Sequence, residues 1–353
     1  MANRSLEDEV YMHRCIELAQ EAAGYVAPNP MVGAVLVHED QVIGEGYHQQ
    51  FGGPHAEVNC LNNAVQNGHG DLLTQSTLYV SLEPCSHFGK TPPCTDLIIQ
   101  HNIPKVVIGS TDPFKEVNGK GIDKLRSAGI EVINGVMEYE CRQLNKRFFT
   151  FHSKHRPYII LKWAQTADAK IASASPSRLL ISNDFTNRLV HKWRSEETAV
   201  LVGTNTAMKD NPSLNTRLWK GKHPIRLIVD TELKLPKSHK VFDQQQQTII
   251  FNAIQHGEDG DTFYYQVGHD ANVIHQILNA CYQMNIQSIL VEGGARLLQS
   301  FIDDNSWDEA RIITNESLII GEGLSASTLS SSTIFSQEKI FTDRITYLRP
   351  NEQ

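Results

Sequence analysis

The stretches GGPHAEVNC (Gly52–Cys60) and SLEPCSHFGKTPPC (Ser81–Cys94) contain the residues that decide the fold of the first half of this chain. Zinc in proteins takes nitrogen and sulfur ligands, and catalytic zinc sites keep one position open for water. His55, Cys85 and Cys94 would supply three such ligands. If His55 begins a helix, Glu57 lies in its first turn and can exchange protons without binding the metal. A second helix beginning near Cys94 would favour the thiolate form of both cysteines.

The order of these residues also indicates a class of reaction. The pattern H-x-E followed by P-C is typical of zinc-dependent deaminases, in which the glutamate acts as acid and base without binding zinc. Here Cys85 and Cys94 are separated by eight residues, not by two. Cys60 and His87 are competing ligands, although Cys60 lies more than one turn along the predicted helix from His55. The sequence therefore predicts a catalytic zinc site made by His55, Cys85 and Cys94.

Length and composition limit the other possibilities. A chain of 353 residues is long enough for two domains. It has no apolar run near the roughly 20 residues that cross a bilayer, and its N-terminus lacks an apolar signal segment. We therefore expect a cytoplasmic protein without a membrane partner. The formal net charge of −8 disfavours nucleic acid as a partner. Six scattered cysteines do not suggest a disulfide scaffold, and Cys15, Cys141 and Cys281 are predicted to be buried thiols.

Hydrophobic periodicity predicts an α/β fold in both halves. The first half reads as a helix, a β-hairpin and then alternating helices and strands, ending in one closing helix, MEYECRQLNKRFFTFH (137–152). This order predicts a three-layer α/β sandwich. The segment KRFFTFHSKHRP (146–157) is basic and aromatic, and a new strand, YIILKWAQ, follows it. This places the domain boundary near residue 150, with domains 1–150 and 151–353.

The second half predicts a mostly parallel sheet with helices on both faces. AVLVGT, IRLIVDT, TIIFNA and SILVEGG are the apolar runs expected of buried parallel strands. Gly293 and Gly294 stand between such a strand and a helix, where exposed backbone amides favour a phosphate. Polar residues of TNTAMKDNPSLNTR (Thr204–Arg217) follow another strand, at the edge where open α/β sheets bind ligands.

Four motifs of the first half resemble one family closely. PNPMVGAVLV (Pro28–Val37), GEGYH (Gly44–His48), GPHAEV and EPCSHFGKTPPC are similar to the deaminase domain of the bifunctional riboflavin-biosynthesis deaminase/reductases, which act on a diaminohydroxyphosphoribosylaminopyrimidine. The resemblance implies a cytidine-deaminase-like domain with Glu57 as proton shuttle beside the three zinc ligands. It implies substrate contacts from the following residues: Asn29, His48, Lys90 and Asp112. The family usually has Asn at the position of Phe114.

The second half resembles the reductase domain of the same family, which implies a dihydrofolate-reductase-like fold that uses NADPH. The implied substrate-binding residues are Arg194, Leu214, Arg217 and Glu292. The implied cofactor-binding residues are Gln165, Leu180, Thr206, Asp210, Thr231, Gly293 and Gly294. The chain departs from the family where it has TADA (Thr166–Ala169) for Ser-Leu-Asp-Gly, Arg178 for Ser and Leu180 for Trp.

The expected protein is a two-step enzyme with Zn²⁺ and NADPH as cofactors. It would deaminate a pyrimidinone ribosyl phosphate, a small-molecule substrate, and then reduce the ribosyl group to ribityl. The resemblance also implies a homodimer. Two alternatives stay open from the sequence. One is a nucleoside, guanine or tRNA-adenosine deaminase, which would not need the second domain. The other is a deaminase whose second half is an inactive, ligand-sensing module, which the departures at Ala169 and Leu180 suggest.

Overall fold

Short β-branched runs alternate with amphipathic helices along the chain, and they form two separate sheets. The computed structural model describes residues 2–88, 92–114, 118–175, 179–268 and 272–351. The chain divides into two compact units, Met1–His155 and Arg156–Gln353. Within the described ranges, the helices are all too short or too polar to cross a membrane.

The first unit contains one five-stranded sheet with the order β2-β1-β3-β4-β5. Its strands are β1 (Gly33–His38), β2 (Gln41–Tyr47), β3 (Thr77–Leu82), β4 (Lys105–Ser110) and β5 (Glu131–Asn134). β1 pairs antiparallel with β2 and β3, whereas β3, β4 and β5 are parallel. The predicted hairpin β1–β2 is therefore at one edge of the sheet, and the parallel strands β3, β4 and β5 form the rest.

Helices cover both faces of this sheet. They are α1 (Ala2–Gln20), α2 (Ala56–Gln66), α3 (Cys94–Gln100), α4 (Lys120–Ser127), α5 (Glu138–Leu144) and α6 (Lys146–Lys154), with a 3₁₀ turn at Gly70–Gln75. Because alternate residues of a strand point to opposite faces, Leu36 packs with Leu61 of α2 in one core. Its neighbour Val35 packs with Met12 of α1 in the other. The predicted three-layer sandwich is confirmed.

The predicted single closing helix, 137–152, is wrong. It is interrupted at Asn145, whose backbone (φ −104°, ψ 23°) separates α5 from α6. The side-chain amide of Asn145 donates to the carbonyl oxygen of Met31 at 2.8 Å and accepts from its amide at 2.8 Å. A tertiary contact across 114 residues, invisible to helical periodicity, thus accompanies the break.

The second unit contains a ten-stranded sheet with the order β11-β12-β10-β9-β8-β13-β6-β14-β17-β16, and a separate pair β15-β7. Its strands are β6 (Tyr158–Thr166), β7 (Lys170–Ser173), β8 (Ala199–Gly203), β9 (Ile225–Val229), β10 (Thr248–Asn252), β11 (Gly257–Asp259), β12 (Thr262–Gln266), β13 (Ser288–Val291), β14 (Glu309–Asn315), β15 (Gly323–Ser325), β16 (Ser332–Ile340) and β17 (Asp343–Pro350). The strands from β12 to β14 are parallel, and β11, β17 and β16 are antiparallel additions at the ends.

The helices of this unit pack on both faces of its sheet, as predicted. They are α7 (Asp184–Glu196), α8 (Thr204–Asp210), α9 (Val273–Gln283) and α10 (Ala295–Asp303), with a 3₁₀ turn at Lys240–Phe242. Leu161 of β6 packs in a core with Ile277 of α9. Its neighbour Ile160 packs with Trp193 of α7 in another core. The hairpin β16–β17 was not predicted. Seven of the nine residues of β16 are exposed, so that strand carries little apolar alternation.

Candidate active sites

Three predicted metal ligands meet in the first unit. His55 directly precedes α2, Cys85 follows β3, and Cys94 is the first residue of α3. Their ligand atoms all lie within 4.8 Å of one another. The His55 Nδ1 atom is 3.7 Å from Cys85 Sγ and 3.3 Å from Cys94 Sγ. Tetrahedral zinc with usual bond lengths places nitrogen and sulfur ligands about 3.6 Å apart. The donor atoms and their spacing therefore fit a zinc ion with three protein ligands.

The surroundings of Cys85 favour its thiolate, the form that binds zinc. The backbone amide of Cys94 donates to Cys85 Sγ at 3.3 Å. Hydrogen bonds from the Cys94 side chain, then from His55 and the Cys94 amide, lower the pKa of Cys85 to about 4 against the effect of burial. The hydrogen bond to Cys85 in turn raises the pKa of His55. The loop from Cys85 to Cys94 therefore presents a negatively charged sulfur that can bind a cation.

Glu57 is held beside these ligands but is not one of them. It is the second residue of α2 and only 3% exposed. Burial, followed by the charge of Cys85, raises the pKa of its carboxyl group above the usual value. It interacts with the Cys94 side chain but lies outside the group of three converging ligand atoms. A buried carboxyl group with a raised pKa is suited to accept and return a proton near neutral pH.

The two competing ligands lie elsewhere. Cys60 is buried in α2, where its thiol donates to the carbonyl oxygen of Gly44 at 3.4 Å and burial raises its pKa. The ring of His87 faces that of Phe114, with centroids 6.2 Å apart. Among the described residues, only His55, Cys85 and Cys94 form a group that could hold a metal.

Asn29 and His48 are brought together next to His55. Asn29 Nδ2 lies 3.1 Å from His48 Nε2, and His48 Nδ1 lies 2.9 Å from the carbonyl oxygen of Pro54. Because a carbonyl oxygen only accepts, Nδ1 carries the proton and Nε2 accepts from Asn29. Burial lowers the pKa of His48, which keeps the ring neutral. The His48 and His55 rings pack edge to face with centroids 5.4 Å apart. This pair is therefore fixed against the metal-ligand group.

Asp112 also lies near the ligands, in the loop after β4. It is 7% exposed, and burial raises its pKa to about 7, although a hydrogen bond from the Phe114 amide at 2.7 Å opposes that effect. The charges of Glu83 and Cys85 raise this pKa further. The Phe114 ring packs edge to face with His152, with centroids 5.2 Å apart. Phe114 thus gives an aromatic character to the position where the family usually has Asn. Lys90 lies outside the described residues.

Sequence reasoning missed Glu83, a buried carboxylate two residues before the Cys85 ligand. Its oxygens accept four backbone hydrogen bonds of 2.9–3.3 Å, from the amides of Asp112, Gly119, Gly121 and Ile122. Gly121 is needed here because a Cβ atom at this position would lie 2.2 Å from the carbonyl oxygen of Pro84. Glu83 therefore connects the end of β3, just before Cys85, to the loop that contains Asp112 through hydrogen bonds.

In the second unit, two predicted substrate residues form a buried ion pair. Glu292 follows β13 and accepts from Arg194 of α7 through Nε at 2.5 Å and Nη2 at 2.7 Å. Lys162, in the middle of β6, places its Nζ 3.8 Å from the same carboxylate. All three side chains are at most 14% exposed. Burial lowers the pKa of Lys162, and Glu292 opposes that shift. Lys162 was missed, although a lysine within the apolar run YIILKWAQ was a signal for it.

The polar loop after α8 reaches this pair through Asn215. Its carbonyl oxygen accepts from Arg194 Nη1 at 3.1 Å, and its side-chain oxygen accepts from Arg217 Nη1 at 3.1 Å. Arg194 is therefore largely engaged by Glu292 and Asn215, whereas Arg217 is exposed. Leu214 is different, because its side chain is buried in an apolar cluster with Val202 and is 2% exposed. The structure brings Arg194, Arg217 and Glu292 together, but it places the Leu214 side chain in the core.

A cavity of about 310 Å³ opens at the carboxyl ends of β8 and β9. Its walls come from the loops after these strands and from the start of α10, and they include three predicted cofactor residues, Thr206, Thr231 and Gly294. Gly293 packs against Thr206, and a Cβ atom there would lie 3.2 Å from that side chain. Gly293 and Gly294 both have positive φ angles, 154° and 78°. This backbone, close to a helix N-terminus at a strand end, fits a phosphate-bearing cofactor.

Besides Gly293, which is next to a lining residue, the predicted cofactor residues that do not line this cavity are Gln165, Leu180 and Asp210. Gln165 accepts from Trp163 Nε1 at 2.8 Å and donates to Thr314 Oγ1 at 3.3 Å. Leu180 is 73% exposed, and Asp210 is exposed at the end of α8. Arg178 lies outside the described residues. This cavity is thus formed by the loops around Thr206, Thr231 and Gly294.

The segment TADA forms a tight turn between β6 and β7. The Thr166 hydroxyl donates to Asp168 Oδ1 at 2.6 Å and accepts from the Lys170 amide at 2.9 Å. Asp168 also accepts from the Gly321 amide at 2.7 Å. Ala169 has a φ of 57°, in the left-handed region that favours glycine. The turn keeps the shape expected of a glycine turn, although its last residue is alanine.

We predict that Ala169→Gly stabilises the protein by up to about 1 kcal/mol. Relief of a left-handed alanine is worth roughly 1–2 kcal/mol, and the greater freedom of glycine in the unfolded chain offsets about half of this. Urea unfolding of the full-length chain measures the change. Ala172→Gly, within the extended strand β7, is the matched control and is expected to destabilise by about 0.5–1 kcal/mol. Equal destabilisation by both substitutions would contradict the strain at Ala169.

Two family models match the two units. The model described as the RibD C-terminal domain matches residues 157–344, and the cytidine and deoxycytidylate deaminase zinc-binding region matches residues 5–110. The riboflavin biosynthesis protein RibD of Aquifex aeolicus is 41% identical over 339 residues, covering 94% of this chain and 93% of the relative. That of Bacillus amyloliquefaciens is 37% identical over 344 residues, covering 94% and 91%.

Solved structures are similar over both units. The crystal structure of a diaminohydroxyphosphoribosylaminopyrimidine deaminase/5-amino-6-(5-phosphoribosylamino)uracil reductase from Thermotoga maritima has a TM-score of 0.90 and 38% identity. The match covers 98% of this chain and 99% of that chain. RibD from Acinetobacter baumannii has a TM-score of 0.89 and 29% identity, with 99% and 100% coverage. The similarity to each of these structures therefore extends over at least 98% of this chain.

Proposed function

Since this chain belongs to the family of the riboflavin biosynthesis protein RibD, a zinc-dependent deaminase joined to a reductase, we propose which residues carry its two reactions. The protein is a bifunctional enzyme of riboflavin biosynthesis. Residues 1–150 deaminate a diaminopyrimidinone ribosyl phosphate, and residues 151–353 reduce the ribosyl group of the product to ribityl with NADPH. The observation that carries the first assignment is the convergence of His55, Cys85 and Cys94 beside the buried carboxyl group of Glu57.

In the deaminase unit, the chain binds the ring and moves protons. Zinc, when bound by the three converging ligands, supplies a Lewis acid that lowers the pKa of a water molecule. Glu57 accepts a proton from water, whose oxygen forms a bond to the amino-bearing ring carbon. Glu57 then returns the proton to the amino group, so that the C–N bond breaks and ammonia leaves. Asn29, His48 and Asp112 would contact the edge of the pyrimidine. This is supported by the hydrogen bond from Asn29 to His48, by the contact of the His48 ring with that of His55, and by the effect of the Cys85 charge on Asp112. Lys90 neutralises the phosphate.

In the reductase unit, the strand-end cavity binds the cofactor. NADPH, when bound, supplies a hydride. Thr206, Thr231 and the Gly293–Gly294 backbone surround its phosphates, which is supported by their position around the cavity. Gln165, Leu180 and Asp210, away from that cavity, would contact other parts of the cofactor. The reduction also takes up one proton. Lys162 is the proposed donor, because its ammonium group lies 3.8 Å from the Glu292 carboxylate, next to the proposed substrate residues, and burial lowers its pKa.

The substrate of the reductase unit lies near the ion pair of Arg194 and Glu292. Arg217 is exposed next to this pair and is suited to bind the phosphate. Leu214 precedes Asn215 and is buried in the apolar core, so it would fix the position of the loop that carries Asn215 and Arg217. The partner is a small molecule in each unit, and we also propose that the protein is a cytoplasmic homodimer that does not bind nucleic acid.

The two alternatives are not favoured. A nucleoside, guanine or tRNA-adenosine deaminase would need only the first unit, whereas the relatives match over both. The inactive, ligand-sensing module was suggested by Ala169 and Leu180. However, Ala169 keeps the glycine-like turn, and the cavity at the strand ends is formed.

A product assay tests the complete proposal. Zinc-loaded, full-length protein is incubated with the pyrimidinone ribosyl phosphate, with and without NADPH, and the products are identified by mass. We expect one ammonia per substrate in both cases. With NADPH, we expect one NADPH oxidised per ammonia released and a ribityl product. Ammonia release without NADPH oxidation would contradict the reductase assignment, and a parallel NADPH titration would show whether binding or turnover is missing.

A further inference from the structure

The side chain of Asn145 does not cap the helix that follows it, although Asn145 stands at the position of a helix cap. It precedes α6, where an asparagine normally accepts a hydrogen bond from an amide of the helix that follows. The Asn145 side chain makes no such bond. It pairs instead with both backbone polar groups of Met31, at 2.8 Å each. Asn183, before α7, shows the usual arrangement and accepts from the Thr186 amide at 3.0 Å. Asn145 is 3% exposed, so this contact is a buried one.

The segment that Asn145 holds leads directly to the deaminase site. Met31 lies two residues after Asn29, and the next residue, Val32, accepts from the backbone amide of His48 at 2.9 Å. Asn29 and His48 then pair through their side chains at 3.1 Å. His48 is also bonded to the carbonyl oxygen of Pro54, which precedes the first metal ligand. Hydrogen bonds and the short chain segment from Asn29 to Val32 therefore connect Asn145, at the break between α5 and α6, to the side chains of Asn29 and His48.

We propose that Asn145 is a positioning residue for deamination, which fixes Asn29 and His48 through the backbone of Met31. The inference rests on the proposed deaminase function and adds a residue to it. Without Asn145, the amide and carbonyl groups of Met31 lose their buried partners, and the segment must move to satisfy them. Displacements of about 1 Å at residues that position a substrate can lower rates by about 10²-fold.

Asn145→Ser and Asn145→Leu separate this role from helix capping. Serine is a good residue to precede a helix, but it is too short to bridge both groups of Met31. We expect both variants to lower kcat/KM for ammonia release by about 10- to 100-fold, mainly through KM, because Asn145 does not move protons. Each should keep one zinc per chain and wild-type reduction of added deaminated product. Asn183→Ser is the matched control: its side chain caps α7 and also donates to the carbonyl oxygen of Ile340 at 2.9 Å, far in sequence from residues 29–48, and the variant is expected to keep both activities.

A double-mutant cycle with Asn29→Ala supplies a second measurement. Because Asn145 acts through the segment that carries Asn29, the two losses should combine to much less than their product. A wild-type KM in Asn145→Ser, or fully multiplicative losses in the cycle, would overturn the inference while leaving the deaminase assignment intact. Absence of ammonia release from the wild-type protein would instead remove the proposed function itself.

Discussion

Glu57→Gln is expected to reduce ammonia release by about 10²- to 10⁴-fold, the usual contribution of a general acid–base group. The substitution keeps the shape of the buried side chain but removes its ability to carry a proton. Because Glu57 is not one of the three converging ligands, the variant should still bind one zinc per chain. Ammonia release and zinc content, measured on the same sample, test both statements together.

Two further variants make this result specific. Cys94→Ala should lose zinc and ammonia release together, because it removes a ligand. Glu45→Gln changes a carboxylate of the same unit that is paired with Arg14, and it should keep both. All three variants should reduce added deaminated product at the wild-type rate, since the reductase residues lie in the other unit. Undiminished ammonia release by Glu57→Gln would refute its role as proton shuttle.

The zinc group was predictable because each of its members is placed by local structure. His55 directly precedes α2, Glu57 lies in its first turn, and Cys94 begins α3, so helix-start signals in the sequence indicate where each of these side chains lies. The succession of helices and strands in the first unit was also predictable from its apolar runs, whereas the order of the strands within the sheet was not predicted. Prolines and glycines between these runs marked where the ligand loops lie.

Supporting residues were not predictable in the same way, because their partners are distant in sequence. Asn145 pairs with a residue 114 positions away, and Glu83 binds amides 29 to 39 positions away. Neither periodicity nor composition contains that information. Lys162 was the exception with a visible signal, since a lysine inside a strand buried on both faces requires a partner. The family resemblance implies Glu292 as a substrate-binding residue, but nothing in the sequence indicates that Glu292 is the partner of Lys162.

Glu292→Gln is expected to destabilise the second unit by about 3 kcal/mol and to abolish NADPH-dependent reduction. Burial alone would raise the pKa of Glu292, but Arg194 and Lys162 lower it, so the carboxylate is ionised between two buried cations. Removing its charge leaves both cations without compensation, and breaking a buried pair in this way costs about 3–5 kcal/mol. Urea unfolding and NADPH oxidation measure the two effects, and ammonia release should remain at the wild-type level.

A compensating substitution distinguishes lost stability from lost function. Arg194→Met combined with Glu292→Gln removes one of the uncompensated cations, so most of the unfolding free energy should return. Reduction should not return, because the substrate site still lacks the carboxylate of Glu292 and the guanidinium of Arg194. Glu196→Gln, which disrupts the more exposed pair with Lys192, should change stability by less than about 0.5 kcal/mol and leave reduction intact. If the double variant regained both stability and reduction, Glu292 would be a structural counterion only, and the substrate would have to bind elsewhere in this unit.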